Sequence, residues 1–194
     1  MSGIHDFFSG SSVDMKALCE YLDGLPQRKR IDEVTSLSAK EQSRLWDAAH
    51  GFRKVTLDDI VPPGTAPLKQ VIHHGRNSMP IFTRFQKRFC KPDDPARKNE
   101  LWGYNHQDLS IVTGPGYYVS KNVDDGEVVI DYREIPPRKP NGWPEILPNS
   151  AKLSRFIYYN MEDFLRGVSK HVTIGRATRS GRNLDNWFVL CREE

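Results

Sequence analysis

Four histidines at positions 73, 74, 106 and 171 fall in segments rich in alternating apolar and polar residues. Imidazole ligates zinc and haem iron, and its ordinary pKa near 6.5 lets it move protons near neutrality. Neighbours on a strand point to opposite faces, so His73 and His74 cannot both face one site. No metal site is therefore assigned, and no cofactor is expected. An acid–base reading pairs His171 with Asp131 or Tyr118. The chain carries neither G-x-S-x-G nor H-E-x-x-H, so no serine nucleophile or zinc protease is marked. Cys19, Cys90 and Cys191 are odd in number, far apart and outside any C-x-x-C pair, which implies neither disulfides nor a sulfur-rich zinc site. Cys90 and Cys191 lie in apolar stretches and read as small buried hydrophobes. Gly114-Pro115-Gly116 lacks the Lys and Ser/Thr of a phosphate loop and reads as a turn or bulge.

These groups must be positioned by a chain of 194 residues, 38% hydrophobic and 27% charged. That length and balance suit one globular domain, organised as a helical extension over 1–55 and a β-barrel domain over 56–194 forming one compact unit. The spacing of Val13, Leu18, Leu22 and Leu25 predicts a helix over 12–25, ended by Gly24 and Pro26. Ser38 and Glu41 form an S-x-x-E capping box that opens a second helix, with Leu45, Trp46 and Ala49 as its apolar stripe. Gln27 to Arg30 reads as an exposed basic linker between them.

From about Pro67 the apolar period changes from helical to alternating, and turn residues recur at intervals. Strands are expected near 68–76, 81–91, 101–106, 109–113, 117–121, 127–134, 155–159, 170–178 and 187–192. Ile81, Phe85 and Phe89 read as one face of the second strand, with Arg84, Gln86 and Arg88 on the other. Asp125-Gly126 marks a hairpin over 117–134, and Ser180-Gly181-Arg182-Asn183 joins the last two strands. The five prolines between Pro136 and Pro148 exclude a central strand and predict a surface loop over one end of the sheet. Asn160 to Gly167 carries an Asx cap, a following acid and a terminal Gly, which predicts one or two helical turns with Asp163 and Arg166 paired on one face. Antiparallel strands in this number remove their edges most completely by closing, so the expected fold is mainly β, an antiparallel barrel, with an open sheet carrying the helices on one face as the alternative. Trp102 and Trp187 read as core packing.

The order of Trp102-Gly103-Tyr104-Asn105, Val129-Ile130-Asp131-Tyr132-Arg133, Met161 to Arg166, Ile174-Gly175-Arg176-Ala177 and Trp187-Phe188-Val189-Leu190 is similar to that of calycin-type proteins, the class holding lipocalins and fatty-acid-binding proteins. The resemblance covers roughly residues 70–192. The lipocalin G-x-W signature near the N-terminus is absent. The resemblance implies a calycin-like β-barrel holding a small hydrophobic or amphipathic molecule, with a few polar groups orienting it. Among the polar residues within the expected strands, His73, Arg84, Tyr104, Tyr118, Asp131 and His171 are the candidate ligand-binding residues.

The leading functional expectation is binding of that small ligand. An isomerase, cyclase or hydrolase using the same cavity is the alternative, and a nucleic-acid-binding module is the second. Arg166 to Arg182 holds five basic side chains and no acid, but also no Phe, Tyr or Trp on which bases could stack. With 28 Lys and Arg against 25 Asp and Glu, net charge is only +3, so nucleic acid is not the expected partner. No stretch approaches the roughly 20 apolar residues of a membrane span, and no secretory leader is visible. A cytoplasmic location without membrane insertion is expected, and no oligomeric state follows.

Overall fold

The computed structural model describes residues 3–80, 83–107, 114–123, 125–149 and 158–194. The fold is mainly β: a closed barrel of eight antiparallel strands preceded by short helices. The strands are β1 (Val71–Asn77), β2 (Arg84–Cys90), β3 (Leu101–His106), β4 (Tyr117–Val123), β5 (Glu127–Asp131), β6 (Met161–Gly167), β7 (Val172–Arg179) and β8 (Arg182–Arg192). Each pairs with the next, and β1 pairs with β8 to close the ring, with Gly75 opposite Leu190. The expected strand at 109–113 and residues 155–157 of the one expected at 155–159 lie outside the described residues, and 158–160 form a turn.

Both marked turns form. Ser180 and Gly181 connect β7 to β8 with φ of 52° and 75°, the left-handed pair that a two-residue turn needs to match strand twist. Gly126, at φ 72°, closes β4 onto β5.

Three helices cover the outside of β7 and β8. They are α1 (Met15–Asp23), α2 (Gln27–Val34) and α3 (Ala39–Ala48). Asp14 caps α1 by accepting from the Ala17 amide at 3.0 Å, and the Ser38–Glu41 capping box opens α3. Leu18, Leu22, Val34, Leu45 and Trp46 bury against the outward Val172, Ile174, Val189 and Cys191. The stretch read as a basic linker is part of α2, and its Arg30 is 2% exposed. Arg30 and Val34 are one helical turn apart and share the buried face. The stretch lacks an apolar stripe because its buried cation occupies one of the stripe's positions. Among the described residues no helix is long and apolar enough to cross a membrane.

Met161–Gly167 is a strand, not the expected helical turns. Asn160 takes φ 54° and so turns the chain instead of capping a helix. Asp163 stands opposite Ile130 on one side and Ala177 on the other, so the segment is hydrogen-bonded into the sheet along both edges. Those two ladders outweigh the local capping signal, because strand preference is set mostly by neighbours. The expected Asp163–Arg166 pair is absent: Arg166 binds Glu127 at 2.6 Å and stacks on Trp46.

A fourth helix, α4 (Leu57–Ile60), and its flanks close one end of the barrel. Val55 N–H donates to the Gly126 carbonyl at 2.9 Å and Leu57 N–H to Asn122 Oδ1 at 3.0 Å. Val55, Leu57, Ile60 and Val61 pack there with the inward Phe89, Leu101, Val128, Leu165 and Leu190. The proline-rich segment lies against the outer face of β3 and β4, where Trp143 packs on Tyr104 with ring centroids 4.8 Å apart. Inside, Gly75, Gly103 and Gly175 leave room for the rings of Phe85, Tyr118 and Phe188 on the next strand. A Cβ on Gly103 would stand 2.3 Å from the Tyr118 ring and 2.6 Å from the Arg88 carbonyl oxygen. Gly103→Ala is therefore expected to destabilise the fold by about 1–3 kcal/mol, read as a lower urea midpoint. An unchanged midpoint would mean that Tyr118 and the β2 backbone can move aside.

Candidate functional site

The inward face of β2 carries Phe85, Lys87 and Phe89, placing an ammonium inside the barrel with only 2% of its side chain exposed. A buried charge is tolerated only when its hydrogen-bonding capacity is met. Lys87 Nζ has three donors and three acceptors on other parts of the barrel wall. They are Asn105 Oδ1 on β3 at 3.0 Å, Asp163 Oδ2 on β6 at 3.1 Å and the Tyr132 hydroxyl just after β5 at 2.5 Å. Asn105 Nδ2 donates to the Tyr132 hydroxyl at 2.9 Å, and that hydroxyl donates onward to Asp163 Oδ2 at 3.0 Å. Four side chains from separate strands thus form one network. Rings surround it: Nζ lies 5.0 Å from the centroids of Tyr118 and Phe188, 5.1 Å from Tyr132 and 5.8 Å from Phe85. Such faces attract a cation.

Burial lowers the Lys87 pKa from its ordinary value, opposed by the Asp163 carboxylate. Burial also raises the Tyr132 phenol well above its usual range, with the Asp163 charge acting in the same direction. Tyr158 stacks on Tyr132 at 5.1 Å and is pushed up to about 12, mainly by burial. Both phenols are hydrogen-bond donors at neutral pH.

This network forms the floor of a cavity of about 280 Å³. The cavity lies toward the barrel end away from α4, beside the ends of β1, β6 and β8. Its described walls include Met79, Met161, Ala177, Leu184 and Trp187, and the exposed Arg179 stands at its edge. The result is a recess with a mainly apolar surface and a concentrated polar spot at the bottom, its walls also including Asn77, Gln107 and Asn186.

The six candidate residues do not converge on this recess. His73 is inside the barrel but at the closed end, 2% exposed, with Nε2 2.9 Å from the Ile60 carbonyl oxygen and its ring edge against Phe89. Burial lowers its pKa to about 3, so the ring is neutral and Nε2 donates. Tyr118 is also inside, beneath Lys87, its hydroxyl 3.3 Å from the Arg88 carbonyl oxygen. Tyr104 faces outward under Trp143. Arg84 is exposed at the start of β2. Asp131 is on the outer face, paired with Arg133 at 2.7 Å. His171 lies between β6 and β7 near Glu194, and burial, then Arg30 and Arg192, lower its pKa to about 4.

The candidate ligand-binding residues do not include Lys87, Asn105, Tyr132 or Asp163. The available signal was F-x-K-x-F over 85–89, a lysine in phase with two phenylalanines. Asp163 was obscured by reading its segment as helical. No family model matches the chain, and no curated protein matches it.

Proposed function

We propose that the barrel binds one small, mainly apolar molecule in this recess, with the ligand's polar group at Lys87, Asn105, Tyr132 and Asp163. The observation that carries this reading is the mainly apolar recess floored by a connected polar network. Its volume of about 280 Å³ falls just below the usual range for ligand sites, roughly 300–1,000 Å³. That favours a compact ring-sized molecule over a long-chain lipid. Support for this reading over nucleic acid comes from the arginines of 166–182: Arg166 is spent on Glu127 and Trp46, and Arg176 on the Leu184 carbonyl and Trp187.

Ala177 lines the cavity on β7, so Ala177→Phe fills it. With cinnamyl alcohol as the probe, calorimetry on the wild type should show binding, and the variant should bind at least about tenfold more weakly, 1.4 kcal/mol. Filling a cavity keeps or raises stability, commonly by about 0.5–2 kcal/mol. Equal affinity in both proteins, or none in the wild type, overturns the reading.

A further inference from the structure

We propose that Lys87 is a nucleophilic amine that captures the carbonyl carbon of a small aldehyde or ketone in this cavity, forming a Schiff base. The proposal rests on the cavity-binding reading and names the chemical class of its ligand.

Lys87 stands where such chemistry needs it, on the floor of the recess, with its amine held by three partners. A lysine at this position is not required for packing. Buried ion pairs add little net stability over apolar residues of similar volume. The network instead assembles the groups that imine formation uses: an amine of lowered pKa, a carboxylate 3.1 Å away to take its proton, and a phenol bonded to both.

The steps balance within these groups. The ammonium gives one proton to Asp163. The neutral amine's lone pair then forms the C–N bond while the carbonyl π pair moves onto oxygen. Tyr132 passes its proton to that oxygen and takes one from the nitrogen, leaving a neutral carbinolamine. Asp163 returns its proton to the hydroxyl, the C–O bond breaks, and water leaves with the electron pair as nitrogen's lone pair completes C=N. One ammonium and one carbonyl become one protonated imine and one water. The product carries the same single positive charge as the ammonium it replaces. Asp163 and the four surrounding rings therefore stabilise both, and no charge is buried or released. Asn105 holds the Tyr132 hydroxyl in place through its 2.9 Å bond.

The test treats the full chain with cinnamaldehyde and sodium cyanoborohydride at neutral pH, followed by intact mass and peptide mapping. Cinnamyl alcohol, similar in shape without the electrophile, is titrated in parallel by calorimetry. The expected result is one adduct on Lys87, formed ahead of any other lysine and suppressed by the alcohol. Tyr132→Phe should slow trapping on the order of 10²-fold. The paired replacement Lys87→Met with Asp163→Leu should abolish the adduct. Alcohol binding without a Lys87 adduct, or adducts spread over surface lysines, overturns the proposal and leaves the cavity reading in place. Failure of both probes overturns both. The peptide map of the wild type decides the matter even if a variant does not fold.

Discussion

Replacing Lys87 by Ala is expected to lower the unfolding free energy by about 3–5 kcal/mol, the largest effect of any single substitution considered for this protein. The cause is the group left behind. Asp163 is 3% exposed, and without the ammonium its carboxylate keeps only the Tyr132 hydroxyl as a partner among the bonds described. Removing Asp163 alone should cost a similar amount, for the mirror-image reason. Replacing both, as Lys87→Met with Asp163→Leu, should recover most of the loss, because an apolar pair of similar volume needs no solvation. The Tyr132 hydroxyl would still accept from Asn105. Urea unfolding of the two single variants and the double variant completes the cycle. Additive losses in the double variant would show that the two charges do not depend on each other.

Stability should fall by about 2 kcal/mol between pH 8 and pH 5 on account of His73 alone, at about 1.4 kcal/mol per pH unit once below 6.5. In the fold His73 stays neutral down to about 3, because burial opposes its charge; the nearby Arg192 acts in the same direction. The unfolded chain takes up that proton near 6.5. Acid therefore favours the unfolded state, and the contribution is complete above the unfolded pKa and lost as pH falls toward the folded one. His171, lowered to about 4, adds to the curve with the same sign. His73→Gln isolates the effect, since an amide can still donate to the Ile60 carbonyl without titrating. The difference in unfolding free energy between wild type and variant should shrink by about that amount on acidification; a constant difference would mean that His73 does not titrate out of the fold.

These two residues also mark the limit of what strand reading could find. His73 was visible as a polar residue in an apolar strand, and it is inside the barrel. Lys87, equally inside, shares the phase of Phe85 and Phe89 and so stands on the face opposite to Arg84 and Arg88, but a base in an apolar phase carries no local sign of the Asn105, Tyr132 and Asp163 side chains that meet it. The inward set is Phe85, Lys87 and Phe89, whereas the expected apolar face of Ile81, Phe85 and Phe89 skips the position between the last two. A phase error of one residue turns each side chain to the other face. Asp131 shows the same dependence: it sits beside the inward Ile130 and points outward to Arg133.

What the amino-acid sequence determined by itself is therefore the local part of this protein: the α1 and α3 helices, the change to alternating strands after Pro67, the turns at Asp125-Gly126 and Ser180-Gly181, and from their number a closed antiparallel barrel. Those signals are carried by neighbouring residues, through caps, left-handed turn positions and hydrophobic period, so they can be read without knowing what packs against what. The tertiary structure alone decided that Met161–Gly167 is a strand, that Arg30 lies in a buried helix face, and that Lys87, Asn105, Tyr132 and Asp163 meet. Lys87 and Asp163 are 76 positions apart in the chain, and their meeting depends on the register of every ladder between them and on the closure of β1 onto β8. No local preference encodes that sum.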